Sequence, residues 1–336
     1  MPSKTQDAGA TPEFRTLGES INIATRPVHT SLNKLIILRL RLALPPHADD
    51  ASNYVQGLLH IAPIYLTFES LWQDILSTPP GPSDSSPVPG DSNPGLSPKI
   101  SPRIHALLTN AHFAALSRSA ALKADLRAMT GWRADELAAR LREAPLESPV
   151  LAGFLARIRR GTARGPHVLL AYAWVLYMAL FAGGRFIRAS LERVDPADRF
   201  WGPLYEDGGA SPDLEDDEGE AEEERGHEKG RQRMPGAFPS SASVSTSREL
   251  GHAEVGGQTE ADYRHPLSFF RFDTPADGQD LRQAFKARVA EATEILTPSE
   301  VEDVVAEARD IFERMVGVVG ELDEVCGTEY EAAAAA

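Results

Sequence analysis

Along residues 53–76 the large apolar side chains Tyr54, Leu58, Ile61, Tyr65, Phe68 and Trp72 recur at alternating steps of four and three. That spacing gathers them on one face and predicts a long amphipathic helix. The same period runs through residues 17–44, where Pro27 fits best in a first helical turn that needs no amide proton, which puts His29 near a helix beginning. It returns at residues 104–129, 134–141 and 150–160, with Pro145 and Pro149 marking a turn between the last two. An apolar helix is expected from Pro166 to about Leu191. Residues 279–296 and 299–326 read as two terminal helices, with Thr297 or Ser299 as N-cap between them. No segment alternates apolar and polar residues as a half-buried strand does, so the expected fold is all-α.

Two stretches interrupt this pattern. Residues 78–102 are crowded with Pro, Ser and Gly, and residues 193–262 join an acidic block to another Gly, Ser and Pro-rich run. Such compositions bury too little apolar area to offset chain entropy, so both are expected to be disordered, as are the tails 1–16 and 328–336. What remains, residues 17–192 and 263–327, is expected to form one helical domain.

Charge sharpens the division. The formal net charge is −15, and residues 206–224 alone hold eleven acids and no base, leaving about −4 for the rest. No basic run suited to displacing counterions from phosphates stands out, which argues against nucleic acid as a partner. The single cysteine, Cys326, can build neither an internal disulfide nor a multi-thiolate metal site, and no secretory signal is visible at the start; a cytoplasmic protein is expected. Residues 168–182 are apolar and uncharged, but fifteen residues fall short of the ~20 needed to span a bilayer, so no membrane span is expected.

Familiar nucleotide, hydrolase and zinc motifs are absent. Candidate chemistry therefore rests on single residues. His29 could present an imidazole to a metal, although a lone histidine is more often a surface or core residue. Gly183 and Gly184 inside an apolar helix imply a close backbone approach, to a ligand or to another helix, or a kink. Arg282, Lys286 and Arg288 lie at i, i+4 and i+6, so the first two share a face that could bind carboxylates or simply be solvated.

The order of these features resembles the haem oxygenase family. Arg26-Pro27-Val28-His29-Thr30 resembles that family's proximal helix, Leu59-His60-Ile61 with Tyr65 and Glu69 the next helix, and the stretch from Arg118 through Leu126 the one after. Pro166 through Ala173, leading to Tyr177 and Gly183-Gly184, is similar to the distal helix, and Phe269-Phe270-Arg271-Phe272 to the C-terminal part of the fold. The resemblance implies haem held between two helices, with His29 as the ligand to haem iron. It implies Arg26, Arg282 and Lys286 near the propionates, with uncharged Asn22 at a further such position. It also implies oxidative opening of haem to biliverdin, carbon monoxide and iron, with electrons from NADPH passed on by a partner reductase.

Four positions depart from that pattern. Aligned on Gly183-Gly184, Leu180 stands where the family has a distal aspartate that organises proton delivery, and Ala179 where it has a glycine. Arg185 occupies a usually uncharged position and could supply the missing proton path or bind a propionate. Asn33 stands where a carboxylate or similar acceptor commonly holds the proximal imidazole. Three readings stay open at this point: a haem oxygenase, a haem-binding or haem-sensing protein impaired in turnover, and a helical scaffold without haem.

Overall fold

The computed structural model describes residues 15–81, 100–195, 199–202, 204 and 266–327. Among them are ten α-helices and no strand: α1 (Leu17–Leu42), α2 (Ser52–Ser77), α3 (Pro102–Ala111), α4 (Ser119–Thr130), α5 (Ala134–Glu147), α6 (Pro149–Arg164), α7 (Leu169–Phe181), α8 (Gly183–Leu191), α9 (Gln279–Ile295) and α10 (Pro298–Val325). Most of the expected disordered stretches, residues 1–14, 82–99, 205–265 and 328–336, lie outside the described residues. Phe200 and Trp201, expected within the acidic insertion, are instead buried, and the Trp201 ring meets Tyr54 of α2 edge-on at 6.2 Å.

Helix boundaries follow local chemistry, and in several places it overrides the expected ones. α1 starts at a capping box in which the Glu19 N–H donates to Thr16 Oγ1 (3.3 Å) while the Thr16 N–H donates to Glu19 Oε2 (2.9 Å). Pro27 therefore lies inside the helix, and His29 is mid-helix and not near a beginning. The carbonyl that Pro27 cannot serve is that of Ile23, whose residue is 49% exposed and open to water. Residues 104–129 are not continuous: α3 ends at Ala111 and α4 starts at Ser119. Pro145 is accommodated within α5, and α6 continues to Arg164.

The α2 stripe sits in the core as its spacing predicts, with Phe68 and Trp72 almost wholly buried. The expected helix from Pro166 to Leu191 is broken at Ala182, where the chain bends by 44° between α7 and α8. No single helix among the described residues is long and apolar enough to cross a membrane, and nearly all of α7 is core.

The long-range polar contacts fix a parallel register for α1, α7 and α10. Along α10, Asp303 meets His167 just before α7 (3.3 Å), and one turn later the buried Glu307 accepts a hydrogen bond from Tyr172 (2.5 Å). Arg157 of α6 pairs with the other oxygen of Glu307 at 2.5 Å. On the opposite side His29 meets Phe312 edge-on (5.2 Å), and Arg39 pairs with Asp323 further along. α9 runs against this direction, since Gly278 at its start lies by Phe181 while Thr293 near its end accepts from the N–H of Leu17 (2.9 Å). At the beginning of the bundle Trp174 rests directly on Gly18, where an added Cβ would stand 2.3 Å from the indole.

Gly18→Ala is expected to destabilise the fold by about 1–3 kcal/mol through overpacking. Gly57→Ala in α2, whose added methyl meets nothing within 4 Å, is expected to stabilise it by up to about 1 kcal/mol; urea unfolding of the pair checks the opposite signs. Glu300, N3 of the α10 capping box, takes a bidentate bond from Arg103 of α3, which holds its carboxyl down to about 2 against an ordinary value of 4.5. Because the folded value is the lower one, this pair contributes fully above pH 4.5 and is lost as pH falls toward 2. The stability difference between wild type and Glu300→Gln should therefore shrink across that window and stay flat above it.

Candidate functional site

The register derived above determines what faces His29. Asn22 of α1 accepts a hydrogen bond from the Trp174 indole (3.2 Å), so these two residues mark one level of the bundle. Seven residues on, about 10 Å along either helix, stand His29 on α1 and Phe181 at the end of α7. His29 shares the Asn22 face of α1, since seven residues bring a helix almost full circle. It thus lies at the level where α7 gives way to α8. The antiparallel α9 brings Arg282 to the same level, and Arg282 and Lys286 lie on the face of α9 that also carries Thr293, its contact to α1.

Exposed residues at this end of the bundle outline a candidate slot. His29, Arg26, Asn22 and Asn33 are exposed along one edge of α1. On α8, which packs beside α1, Gly183 presents bare backbone, and a Cβ placed there would meet no atom within 4 Å. Gly184, by contrast, faces inward, 3.3 Å from the Phe270 ring, so the two glycines serve different ends: one leaves the slot wall bare and the other lets α8 seat on the core. Ile23 of α1 and Phe186 of α8 are about half exposed and add apolar surface. Two other open concavities lie elsewhere, about 580 Å³ beside His105, His112 and Arg288, and about 470 Å³ beside Arg157, Arg160 and Arg164.

Several expected site residues have specific partners. The Asn33 amide nitrogen lies 3.2 Å from His29 Nε2, so Asn33 does touch the imidazole despite lacking a carboxylate. Asn22 is engaged by Trp174. Leu180 is buried and apolar at 4% exposure, and Ala179 offers only its carbonyl toward Gly184. Arg185 points toward the start of α9: its Nη2 is 3.4 Å from the Asp277 carbonyl, and the Gln279 amide oxygen, turned toward it, is 2.5 and 2.7 Å from its two terminal nitrogens. Arg288 faces α3, away from Arg282 and Lys286, which alone were expected to share a face.

Behind the slot, Tyr177 does not present its hydroxyl to it. The hydroxyl donates to Glu69 of α2 (3.1 Å), and burial, followed by the Glu69 charge, pushes it far above its ordinary value, so it keeps its proton at neutral pH. Glu69 also accepts from the N–H groups of Arg118 (2.7 Å) and Ser119 (3.0 Å) and from the Ser119 hydroxyl (2.5 Å), capping the exposed start of α4. Arg118 itself is buried, donates to four backbone carbonyls of residues 115–117 and 271, and lies 4.3 Å over the Phe272 ring. Tyr65 donates to the Leu176 carbonyl (2.9 Å), a second tie from α2 to α7. Sequence reasoning missed Trp174 and Asp277, whose roles depend on partners more than 80 residues away in the chain.

Residues 101–321 match the family model described as Heme oxygenase. The chain belongs to the haem oxygenase family. That match begins at α3, so α1 with His29 lies outside it. Solved structures extend the likeness: heme oxygenase 2 from Chlamydomonas reinhardtii, without heme, superposes with a TM-score of 0.54 at 14% identity, covering 92% of this chain and 98% of that one. Heme oxygenase-2 from Synechocystis sp. PCC 6803, in complex with heme and NO, gives 0.53 at 13% identity over 93% and 86% of the two chains. Heme oxygenase from Leptospira interrogans gives 0.52 at 14% over 91% and 100%. No curated protein sequence matches the chain. At these identities the structures establish the all-α fold, and their coverage carries it beyond residues 101–321.

Glu69→Ala, which strips an acceptor from two backbone N–H groups and two hydroxyls, is expected to cost about 3 kcal/mol of stability, and Tyr177→Phe only about 1 kcal/mol. Equal losses in urea denaturation would show that Glu69 is not the hub of this cluster.

Proposed function

We propose that the slot binds haem, with His29 as the iron ligand, and that the chain opens the macrocycle to biliverdin, carbon monoxide and iron, with molecular oxygen as the oxidant and source of the inserted oxygen atoms and with electrons from NADPH through a partner reductase. What supports this reading is an exposed imidazole on α1 together with bare glycine backbone at the start of α8, a helix that packs beside α1. A planar ligand needs both: a nitrogen donor on one side and a wall without side chains on the other. Haem supplies the redox iron and the ring that is cut. The chain's own residues hold and orient it. Asn33 would steady the ring by turning its amide oxygen to whichever imidazole nitrogen carries the proton, a neutral and therefore weaker partner than a carboxylate. Arg26, Arg282 and Lys286 would make charge-assisted bonds to the propionates.

A second reading is favoured by Leu180. Its buried isobutyl group can neither donate nor relay a proton, Tyr177 is committed to Glu69, and Arg185 is drawn toward α9. Haem held without efficient opening, in a haem-binding or haem-sensing protein, is what this distal side supports if water cannot substitute as the proton source.

Titration of the purified protein with hemin should give a saturable Soret band that His29→Ala shifts or weakens strongly. No saturable band would end both haem readings and leave a helical scaffold. Addition of NADPH, a reductase and catalase should then convert the Soret band to the biliverdin spectrum. A haem spectrum that persists through reduction in air would leave the binding reading alone.

A further inference from the structure

We infer that Asp277 is a positioning residue that clasps α8 to the start of α9 and so sets how the bare Gly183 backbone stands over the slot. The inference rests on the slot being the haem site, and the clasp itself can be tested without haem.

α8 has little else to hold it at this end. It leaves α7 at Ala182 with a 44° bend, and Gly183 and Phe186 face outward. Leu191 and Ile187 pack it on the core toward its far end, while nearer its start the inward contacts are Gly184 against Phe270 and a set of arginine bonds directed at one turn. Arg188 Nη1 donates to Asp277 Oδ2 at 2.6 Å, while its Nε donates to Glu192 at 2.9 Å. Arg185 reaches the Asp277 carbonyl and the Gln279 side chain, and Glu192 takes a further bond from Arg271 (3.0 Å). Asp277 is thus the point on α9's side at which both α8 arginines converge.

The turn bearing Asp277 is built to be stiff. Asp277 has a positive φ of 45°, a conformation Asp and Asn tolerate better than most residues. Gly278 follows at φ 79°, and a Cβ there would stand 2.7 Å from Phe272 and 2.8 Å from Phe181. Asp277 Oδ1 accepts from the Phe272 N–H (3.2 Å), and Thr274 Oγ1 accepts from the Gly278 N–H (2.8 Å). Partial burial works against the Asp277 carboxylate, but these bonds from Phe272 and Arg188 outweigh it and keep the group ionised. The same turn opens α9, which carries Arg282 one turn later. One carboxylate therefore couples the distal backbone to the helix with the propionate-facing cations.

A solvent-exposed ion pair in isolation does little for global stability. Here it acts on a nine-residue helix that follows a bend and buries few large side chains, so its loss should show locally. Hydrogen exchange on the full chain without haem should show the amides of residues 183–191 exchanging about fivefold faster in Asp277→Asn and in Arg188→Gln, with α10 unchanged. Asp277→Asn keeps an acceptor for Phe272 and tolerates the positive φ. Arg188→Lys retains the charge and should restore most of the protection. Hemin transfer to apomyoglobin should accelerate in the same order. Unchanged exchange in α8 for both neutral variants would overturn the clasp, even if hemin binds. If Asp277→Asn unfolds the protein globally, the Arg188→Gln and Arg188→Lys pair still decides. Failure of the wild type to bind hemin would instead sink the haem reading, with the exchange pattern unaffected.

Discussion

The carboxylate of Glu307 lies almost wholly out of water, and a buried charge survives only if it is matched. Arg157 from α6 and Tyr172 from α7 supply the match, and removal of either would leave the desolvation of the carboxylate only partly offset. Because the contact admits only one alignment of α7 on α10, it fixes a register that apolar packing alone leaves free to slide. α7 is apolar around its whole circumference, so hydrophobic burial gives it no preferred phase or height. The polar contact does.

From that register the site follows. α1 lies on α10 through His29 and Arg39, and α7 through Tyr172, so both run alongside α10 in one direction and His29 falls toward the end of α7, near where α8 begins. The bend frees Gly183 from the core while Gly184 stays in it. Glu69 anchors α7 from behind by taking the Tyr177 proton bond, and this organises the slot at the cost of withdrawing a hydroxyl that might otherwise have faced it. Support and chemistry compete for the same side chain.

Much of the fold was legible because it depends on short-range rules. The α2 stripe, the two terminal helices and the Thr297 cap follow from spacing and capping chemistry. Pro27 misled because a local preference for first turns was weighed without the Thr16 and Glu19 box ten residues earlier, a signal present in the sequence that sets the true start. Pro145 misled in the same way within α5. The break at Ala182 was marked only by two glycines that several structures could explain. His29 became a candidate through family resemblance and not through its own neighbourhood, since nothing local separates a ligand from a surface histidine. The separation of Arg288 from Arg282 and Lys286 follows from helical spacing alone, but which neighbour each face meets needed the positions of α1 and α3. Trp174 and Asp277 stayed hidden for the same reason.

Gly18 has a consequence for traffic. With the Trp174 ring lying directly on the backbone of α1, the two helices are closed on each other at that level. Anything that entered between α1 and α8 would meet a shut wall on this side, so entry and exit would have to share one opening.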